Sequence, residues 1–559
     1  MGFMSTAFLG YFRTANERDP LESMRSVRTW MTGLPANDPL AALEDIAGAL
    51  ETFSHRQPVV TAARIHALFT LDLLSQPMQT KVAADYRLHL RSEPIRNRLW
   101  QASNDLAHWF CEAYDHVCMA EGDKPARSRT PLPLHGTYAR LFHYRRMQAG
   151  LGLSRYQSWI PANWKFLHAA YGAALSHGVA ALPFALSPAG EALSAEQEFI
   201  QVLLLQRLDT GNQTAREIEW ALEWLPACAK DLHLTDPVAQ GGVFWVDLGA
   251  GLGLQGGRPA EARGALRCLD VAPLQDELGK RAIALAAGLD AAKSATAEYK
   301  SREAQLKLVT RLQSLWQPET RLRARRGERR ADRRMVAAAA GWSSIIATLR
   351  AGAQEDIRAF RRPGVGAAEY PGLADSTLER LLPGAGSGLL PGQTGWQLQD
   401  TSDSGVRILS RAGEAQKLQA GALVALRDGG DMRWQAGIVR RVRRRTGEFT
   451  ELGVERISRH ALLGRGAPPG VRDAGYSVDG IDVSVGNACF PVLYLPPRDD
   501  GHSAPMHSVI LPASEFAPGR SIVLGIDGAS RNILLNAPLE QHEDWVWAGL
   551  ELAAETIEY

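Results

Sequence analysis

Eight arginines and no lysine fall within the fourteen residues Arg321–Arg334, which read Arg-Leu-Arg-Ala-Arg-Arg-Gly-Glu-Arg-Arg-Ala-Asp-Arg-Arg. Farther on the chain reads Asp400-Thr-Ser-Asp-Ser-Gly405. A guanidinium presents planar, permanently charged forks of parallel N–H donors that match phosphate oxygens two at a time, and it stacks on purine faces as lysine does not. Each charge-assisted bond to a sheltered phosphate contributes roughly 1.5–3 kcal/mol. The Asp400 carboxylate can accept from the N1–H and N2–H₂ edge of a guanine, whereas adenine has no matching pair of donors. Ser402 offers a hydroxyl, and Gly405 admits a close backbone approach. A basic cluster and an acidic turn together ask for one ligand that carries both phosphate and guanine.

The elements that must position these groups differ in texture. From about Pro39 to Leu234 apolar residues recur at three- and four-residue spacing, which predicts helices over Ala41–Phe53, Val59–Leu74, Ile95–Met119, Thr137–Ala149, Ile160–His177, Ala195–Leu208 and Ala215–Leu225. Ser194, three residues before Gln197, has the spacing of a capping box. Two buried-strand runs follow, Val243–Leu248 and Leu266–Val271, and then helical stretches over Leu274–Leu289 and Ser301–Leu315. Beyond the arginines the alternation becomes two-residue and glycine-punctuated. It predicts strands over Trp396–Leu409, Ala422–Arg427, Trp434–Arg445 and Glu448–Ile457, joined by turns such as Asp428-Gly-Gly-Asp431 and Thr446-Gly447. A joint at Gly464–Gly470 leads to more strands near Gly480–Val485, Val492–Leu495, Ser508–Leu511, Ser521–Ile526 and Asn532–Leu535.

Bulk properties narrow the class. A chain of 559 residues is too long for one core. A formal net charge of +1 argues against a protein that coats nucleic acid, so the arginine cluster is a local device on a neutral body. The five cysteines (Cys111, Cys118, Cys228, Cys268 and Cys489) form no Cys-x-x-Cys pair, an arrangement that suits a reducing compartment and implies no metal site. The N-terminus lacks the pattern of a signal peptide, and no run of eighteen apolar residues predicts a membrane span. A cytoplasmic location is expected.

At the arginines and the acidic turn the sequence resembles the PilZ domain family of bacterial cyclic di-GMP receptors. Arg330-Ala-Asp-Arg-Arg334, preceded by Arg329, answers the family's Arg-x-x-x-Arg, and Asp400-Thr-Ser402-Asp-Ser-Gly405 matches its Asp-x-Ser-x-x-Gly at every fixed position. Trp434–Arg441 and Leu452-Gly-Val-Glu455 look like its later strands. The resemblance covers about 325–460 and implies a ligand, cyclic di-GMP, held by Arg329, Arg330, Arg334, Asp400, Ser402 and Gly405. It also implies an arginine arm that is mobile without ligand and closes over the phosphates, with no catalytic residues, metal or cofactor. About 65 residues separate the two halves, more than is usual in the family; an insert near 352–392, with a helical piece at Thr377–Leu382, accounts for the excess.

The expected fold is multidomain α+β: a helical region over 1–240, a small α/β extension over 241–320, a PilZ-like antiparallel β-barrel over 321–465 and a C-terminal β-rich segment over 470–559. The function implied is a receptor that couples cyclic di-GMP binding to a protein partner on the helical region. Motility, exopolysaccharide production, biofilm formation and adhesion all fit as downstream processes. Two rivals stay open. One is an interaction scaffold whose barrel has lost the nucleotide. The other is an S-adenosylmethionine-dependent methyltransferase, because Val246-Asp-Leu-Gly-Ala-Gly-Leu-Gly253 resembles a Rossmann nucleotide turn and Asp270 stands where a ribose-binding acid would. Against the second, the turn is not followed by a good helix. Asp482-Val-Ser-Val-Gly486 echoes the acidic motif one residue short and reads as a plain turn or the trace of a second barrel.

Overall fold

A computed structural model describes residues 19–552 apart from 88–91, 123–133, 158–160, 187–190, 209, 237–242, 258–264, 292–295, 319–329, 361–393, 403, 412–417, 429–433, 445–448, 470–474, 479–480, 485–488, 498–506, 527–528 and 543. The chain divides into two compact units, one of residues 1–209 and 215–322, the other of 210–214 and 323–559.

The described residues of the first unit include the helices α1 (Met24–Met31), α2 (Pro39–Arg56), α3 (Ala62–Arg87), α4 (Glu93–Gly122), α5 (Leu134–Ser154), α6 (Pro161–Ser176), α7 (Ala195–Arg207) and α8 (Ala215–Ala229). Their starts follow local chemistry. Asp38 caps α2 ahead of Pro39, whose missing N–H is no loss in the first turn. The capping box of α7 is formed: the Gln197 amide donates to Ser194 Oγ (3.1 Å) and the Ser194 amide donates to Gln197 Oε1 (2.9 Å). Among these helices Phe110, Tyr114, Phe142, Tyr144, Tyr171 and Phe199 are fully buried.

The fully buried Asp72 carboxylate accepts from Arg140 Nε (2.7 Å) and Nη2 (2.8 Å), Tyr114 OH (2.7 Å) and Tyr144 OH (2.8 Å). A buried charge is tolerable only when paired and fully hydrogen-bonded, and here a fork and two phenols meet that condition.

Strands β1 (Leu234–Thr235), β2 (Phe244–Asp247) and β3 (Leu266–Leu269) form a sheet in the order β1-β3-β2, with both pairings antiparallel. This removes the methyltransferase reading. A Rossmann turn feeds a helix that crosses to a parallel strand, whereas the loop after β2 returns as an antiparallel hairpin. Gly253 is pressed against the Gln206 side chain, which a Cβ there would overlap. Helices α9 (Ala272–Ala291) and α10 (Ala297–Leu315) complete the unit.

The second unit holds β4 (Arg330–Ala331), β5 (Met335–Ala340), α11 (Trp342–Phe360), β6 (Thr394–Thr401), β7 (Gly405–Arg411), β8 (Leu423–Asp428), β9 (Gln435–Arg444) and β10 (Phe449–Ser458). Antiparallel pairings run β5–β6–β7–β10–β9–β8 and return to β5, closing a six-stranded barrel, with β4 added beside β6. Trp396, Leu398, Val406, Ile408, Val424, Val442 and Leu452 are buried along these strands, as alternate inward positions require.

A second closed barrel consists of β11 (Leu462–Ala467), β14 (Phe490–Leu495), β15 (Ser508–Pro512), β16 (Ser521–Ile526), β17 (Ala529–Gln541) and β18 (Trp545–Leu552), with the hairpin β12 (Gly475–Val478) and β13 (Ile481–Ser484) between its first two strands. One apolar cluster joins the two barrels: Ala339 of β5, Ile345, Ile346 and Leu349 of α11, Leu423, Ile438, Leu493, Leu495, Ile510 and Trp545.

Several expectations change. The strand expected over Trp396–Leu409 is the hairpin β6–β7. The joint expected at Gly464–Gly470 is largely β11, which pairs with β14 and β16. Asp482 lies in a strand, opposite Ser477, and not in a turn. Strand β5 and helix α11 went unforeseen, because Met335-Val-Ala-Ala-Ala-Ala340 has strong intrinsic helix propensity. Its alanines instead fill a barrel position under α11, and Gly341, at φ 81°, supplies the left-handed turn between strand and helix. The helical piece at Thr377–Leu382 and most of the two expected turns lie outside the described residues.

Candidate nucleotide-binding site

The two halves of the motif, far apart in sequence, meet side by side. In the antiparallel pair β4–β6, Arg330 stands opposite Thr401 and Ala331 opposite Asp400. Pairing resumes at β5, where Met335 faces Gln397. Between them the Asp332 amide donates to the Gln399 carbonyl (3.0 Å) and the Leu398 amide to the Arg334 carbonyl (2.8 Å), so Asp332 and Arg334 remain tied to β6 by their backbone. The intervening chain therefore does not part the two halves. The expected mobile arm is strand-paired at its described end, Arg330–Ala331. Arg329, like Arg321–Arg326, lies outside the described residues.

A bulge aims Asp400. Leu398 pairs with Ile408, but the next pair is Asp400 with Arg407, leaving Gln399 as the extra residue on β6. Simple alternation from Trp396 and Leu398 would turn position 400 into the barrel. The bulge turns it to the outer face, beside Arg407, since the paired Leu398 and Ile408 point inward. The Asp400 carboxylate lies 2.7 Å from Arg407 Nε, whose N–H is poorly aligned on it, so the contact is one of charge more than of hydrogen bonding. Arg407 Nη1 also approaches Glu451 at 3.6 Å.

The turn after Asp400 is closed by its own serine and glycine. The Ser402 amide (2.8 Å) and hydroxyl (3.1 Å) both donate to the Gly405 carbonyl. Glycine is required at 405 by proximity, as its φ is not positive. A Cβ there would lie 2.7 Å from the Val454 carbonyl oxygen, a backbone atom of the neighbouring strand. Arg456 on β10 braces the same turn, with its amide to the Ser404 carbonyl (2.9 Å), Nη1 to the Ser402 carbonyl (3.3 Å) and Nη2 to Thr401 Oγ1 (3.4 Å).

Arg330 and Arg334 are both exposed. Arg334 is paired with the aspartate two residues before it: Nη2 to Asp332 Oδ2 at 2.7 Å, Nε to Oδ1 at 3.0 Å, and its backbone amide to Oδ1 at 3.2 Å. The side-chain bond from Arg334 holds the Asp332 carboxyl below its ordinary range. An acidic residue thus occupies a guanidinium that a phosphate would need.

Sequence comparison identifies the family. The model for the N-terminal domain of the cyclic-di-GMP receptor FimW matches residues 25–239, and the model for that receptor's middle PilZ domain matches 392–462. Together they span more than half of the chain, in the order of the receptor's own domains. The chain belongs to this receptor family. No curated protein matches it.

The PilZ domain so placed contains the Asp400–Gly405 turn and every strand of the first barrel after β5. The match to the FimW N-terminal domain takes in α2 to α8 whole, which the sequence read only as helices. Two PilZ-domain residues escaped the sequence reading, Arg407 and Arg456. The first was accessible, since a turn closed between Ser402 and Gly405 pairs Thr401 with Val406 and hence Asp400 with Arg407. Arg456 comes from β10, and no local signal marks it.

Among the described residues no helix is long and apolar enough to cross a membrane, and no group of three or more histidines, cysteines or acids could hold a metal ion.

Proposed function

We propose that the chain binds cyclic di-GMP at the outer rim of its PilZ barrel without transforming it, and passes occupancy to a protein partner through its helical unit. The observation that carries the reading is the β4–β6 pairing, which sets the arginine segment directly beside Asp400 and Ser402. In this reading Arg330 and Arg334, with Arg329, take the phosphates. Asp400 accepts from a guanine Watson–Crick edge, and Ser402 and Gly405 let the base lie close to the turn. Ligand would exchange the Asp332–Arg334 and Asp400–Arg407 pairs for contacts to phosphate and base, shifting the segment between two held arrangements. A bacterial, cytoplasmic setting follows from the family's ligand, a second messenger. Motility, surface attachment and exopolysaccharide output all remain compatible.

Titration calorimetry of Arg330→Ala/Arg334→Ala tests the proposal. Loss of binding with an unchanged circular dichroism spectrum is the expected result, and unchanged affinity sinks the assignment. A scaffold with a relic barrel would show no rise in melting temperature when the wild-type chain meets micromolar cyclic di-GMP.

A further inference from the structure

The C-terminal barrel repeats the connectivity of the first. When strands are counted in chain order within each barrel, first pairs with second in both (β5–β6; β11–β14) and second with third (β6–β7; β14–β15). Third then pairs with sixth (β7–β10; β15–β18), sixth with fifth (β10–β9; β18–β17), fifth with fourth (β9–β8; β17–β16) and fourth with first (β8–β5; β16–β11). Every pairing is antiparallel in both. In each, the first three strands pair in sequence order and the third neighbours the last, an order that simple up-and-down winding does not produce. The PilZ match ends at residue 462, where this second barrel begins.

The positions that build the nucleotide rim are changed in the repeat. In the first barrel the pairs nearest the turn between second and third strands are Thr401–Val406 and Asp400–Arg407. In the second they are Leu495–Ser508 and Tyr494–Val509, which supply neither carboxylate nor guanidinium, and Tyr494 is engaged with His507. Ahead of its first strand there is no added strand like β4. A tight turn, Ser458 Oγ to the His460 amide (3.0 Å) and carbonyl (2.8 Å), passes β10 directly into β11.

The second barrel turns instead to its neighbour. Its inward residues Val492, Val509 and Leu511 fill its own core, whereas Leu493, Leu495, Ile510 and Trp545 lie in the cluster shared with α11, Leu423 and Ile438. A second bulge adds a polar tie. Gly453 pairs with Arg441 and Val454 with Val439, which leaves Arg440 as the extra residue. Its Nε reaches Glu455, directly opposite Gly405, at 2.6 Å, and its Nη1 and Nη2 reach both Glu540 oxygens at 2.6 Å.

We infer that residues 462–552 are a second PilZ-type barrel, silent toward the nucleotide, which serves as the platform on which the binding barrel is braced. The inference rests on the proposed ligand but not on which arginines hold it. Photo-crosslinking of the full chain with an azido-cyclic di-GMP, followed by peptide mapping, tests it. Label confined to peptides from 323–458 is expected, together with calorimetry that fits one class of site. Label on 490–495 or 508–512, competed by unmodified ligand, overturns the silent repeat and leaves the receptor function standing. Label restricted to the helical unit overturns the proposed site instead. Failure of the wild-type chain to bind at all refutes both.

Discussion

Replacing Asp332 with asparagine should tighten cyclic di-GMP binding. The carboxylate forms the chelating pair with Arg334 and lies in sequence between Arg330 and Arg334, the two arginines proposed to meet the phosphates. Arg334 is 59% exposed and Asp332 14%, so the pair belongs with surface ion pairs, worth about 0.2–1 kcal/mol. Its near-bidentate geometry places it toward the upper end, and 1 kcal/mol corresponds to about fivefold in Kd. Asparagine keeps an oxygen to accept the Arg334 backbone amide, so the turn persists while the charge goes. Calorimetry at low salt should therefore show about a two- to fivefold fall in Kd, shrinking as ionic strength rises. A double-mutant cycle isolates the cause, because the substitution should bring little gain in an Arg334→Ala background. Equal or weaker binding by a correctly folded Asp332→Asn chain would refute the view that ligand and Asp332 compete for Arg334.

Gly405→Ala should both lower the melting temperature and abolish binding, because the added Cβ meets backbone that cannot withdraw; a stable, binding-competent variant would contradict that geometry. Asp72→Ala should destabilise the helical unit by about 3–5 kcal/mol in urea unfolding, since it leaves the Arg140 guanidinium buried without its counter-charge, and a cost below about 1 kcal/mol would show that the network relaxes. Acid should weaken both units. Burial alone would raise Glu198 and Glu540, but Arg146 and His143 bring the first down to about 2, and His542 and Arg440 the second, also to about 2. Folded values below the unfolded ones mean a stabilisation complete above about pH 4.5 and lost as pH falls toward 2. Glu540→Gln should flatten that part of the melting-temperature profile, and an unchanged slope would remove Glu540 as a source.

How far this could be read from the sequence depended on whether the signal was local. Helices α2 to α8 announced themselves because each carries its own apolar stripe and, for α7, its own cap. The Asp400–Gly405 turn was legible because its chemistry closes within six residues. Strand β5 was not, since alanines prefer helix until neighbouring strands and α11 impose another answer. The outward aim of Asp400 was equally hidden. It depends on one extra residue in β6 relative to β7, and neither strand alone records that mismatch. The second barrel was legible only as scattered strands, because its repetition lies in pairing order and not in residues.

The apolar cluster shared by the barrels has a thermodynamic consequence. Trp545 belongs to the C-terminal barrel, yet it is 1% exposed within a core that also contains Leu423 and Ile438 of the PilZ barrel. Neither barrel can melt without stripping the other, so the two should unfold as one cooperative block. A nucleotide at the Asp400 rim would then protect side chains it never touches: at a hundredfold excess over Kd it adds about 2.7 kcal/mol to the whole block. The indole of Trp545 becomes a native optical gauge of occupancy, reporting from the barrel that does not bind.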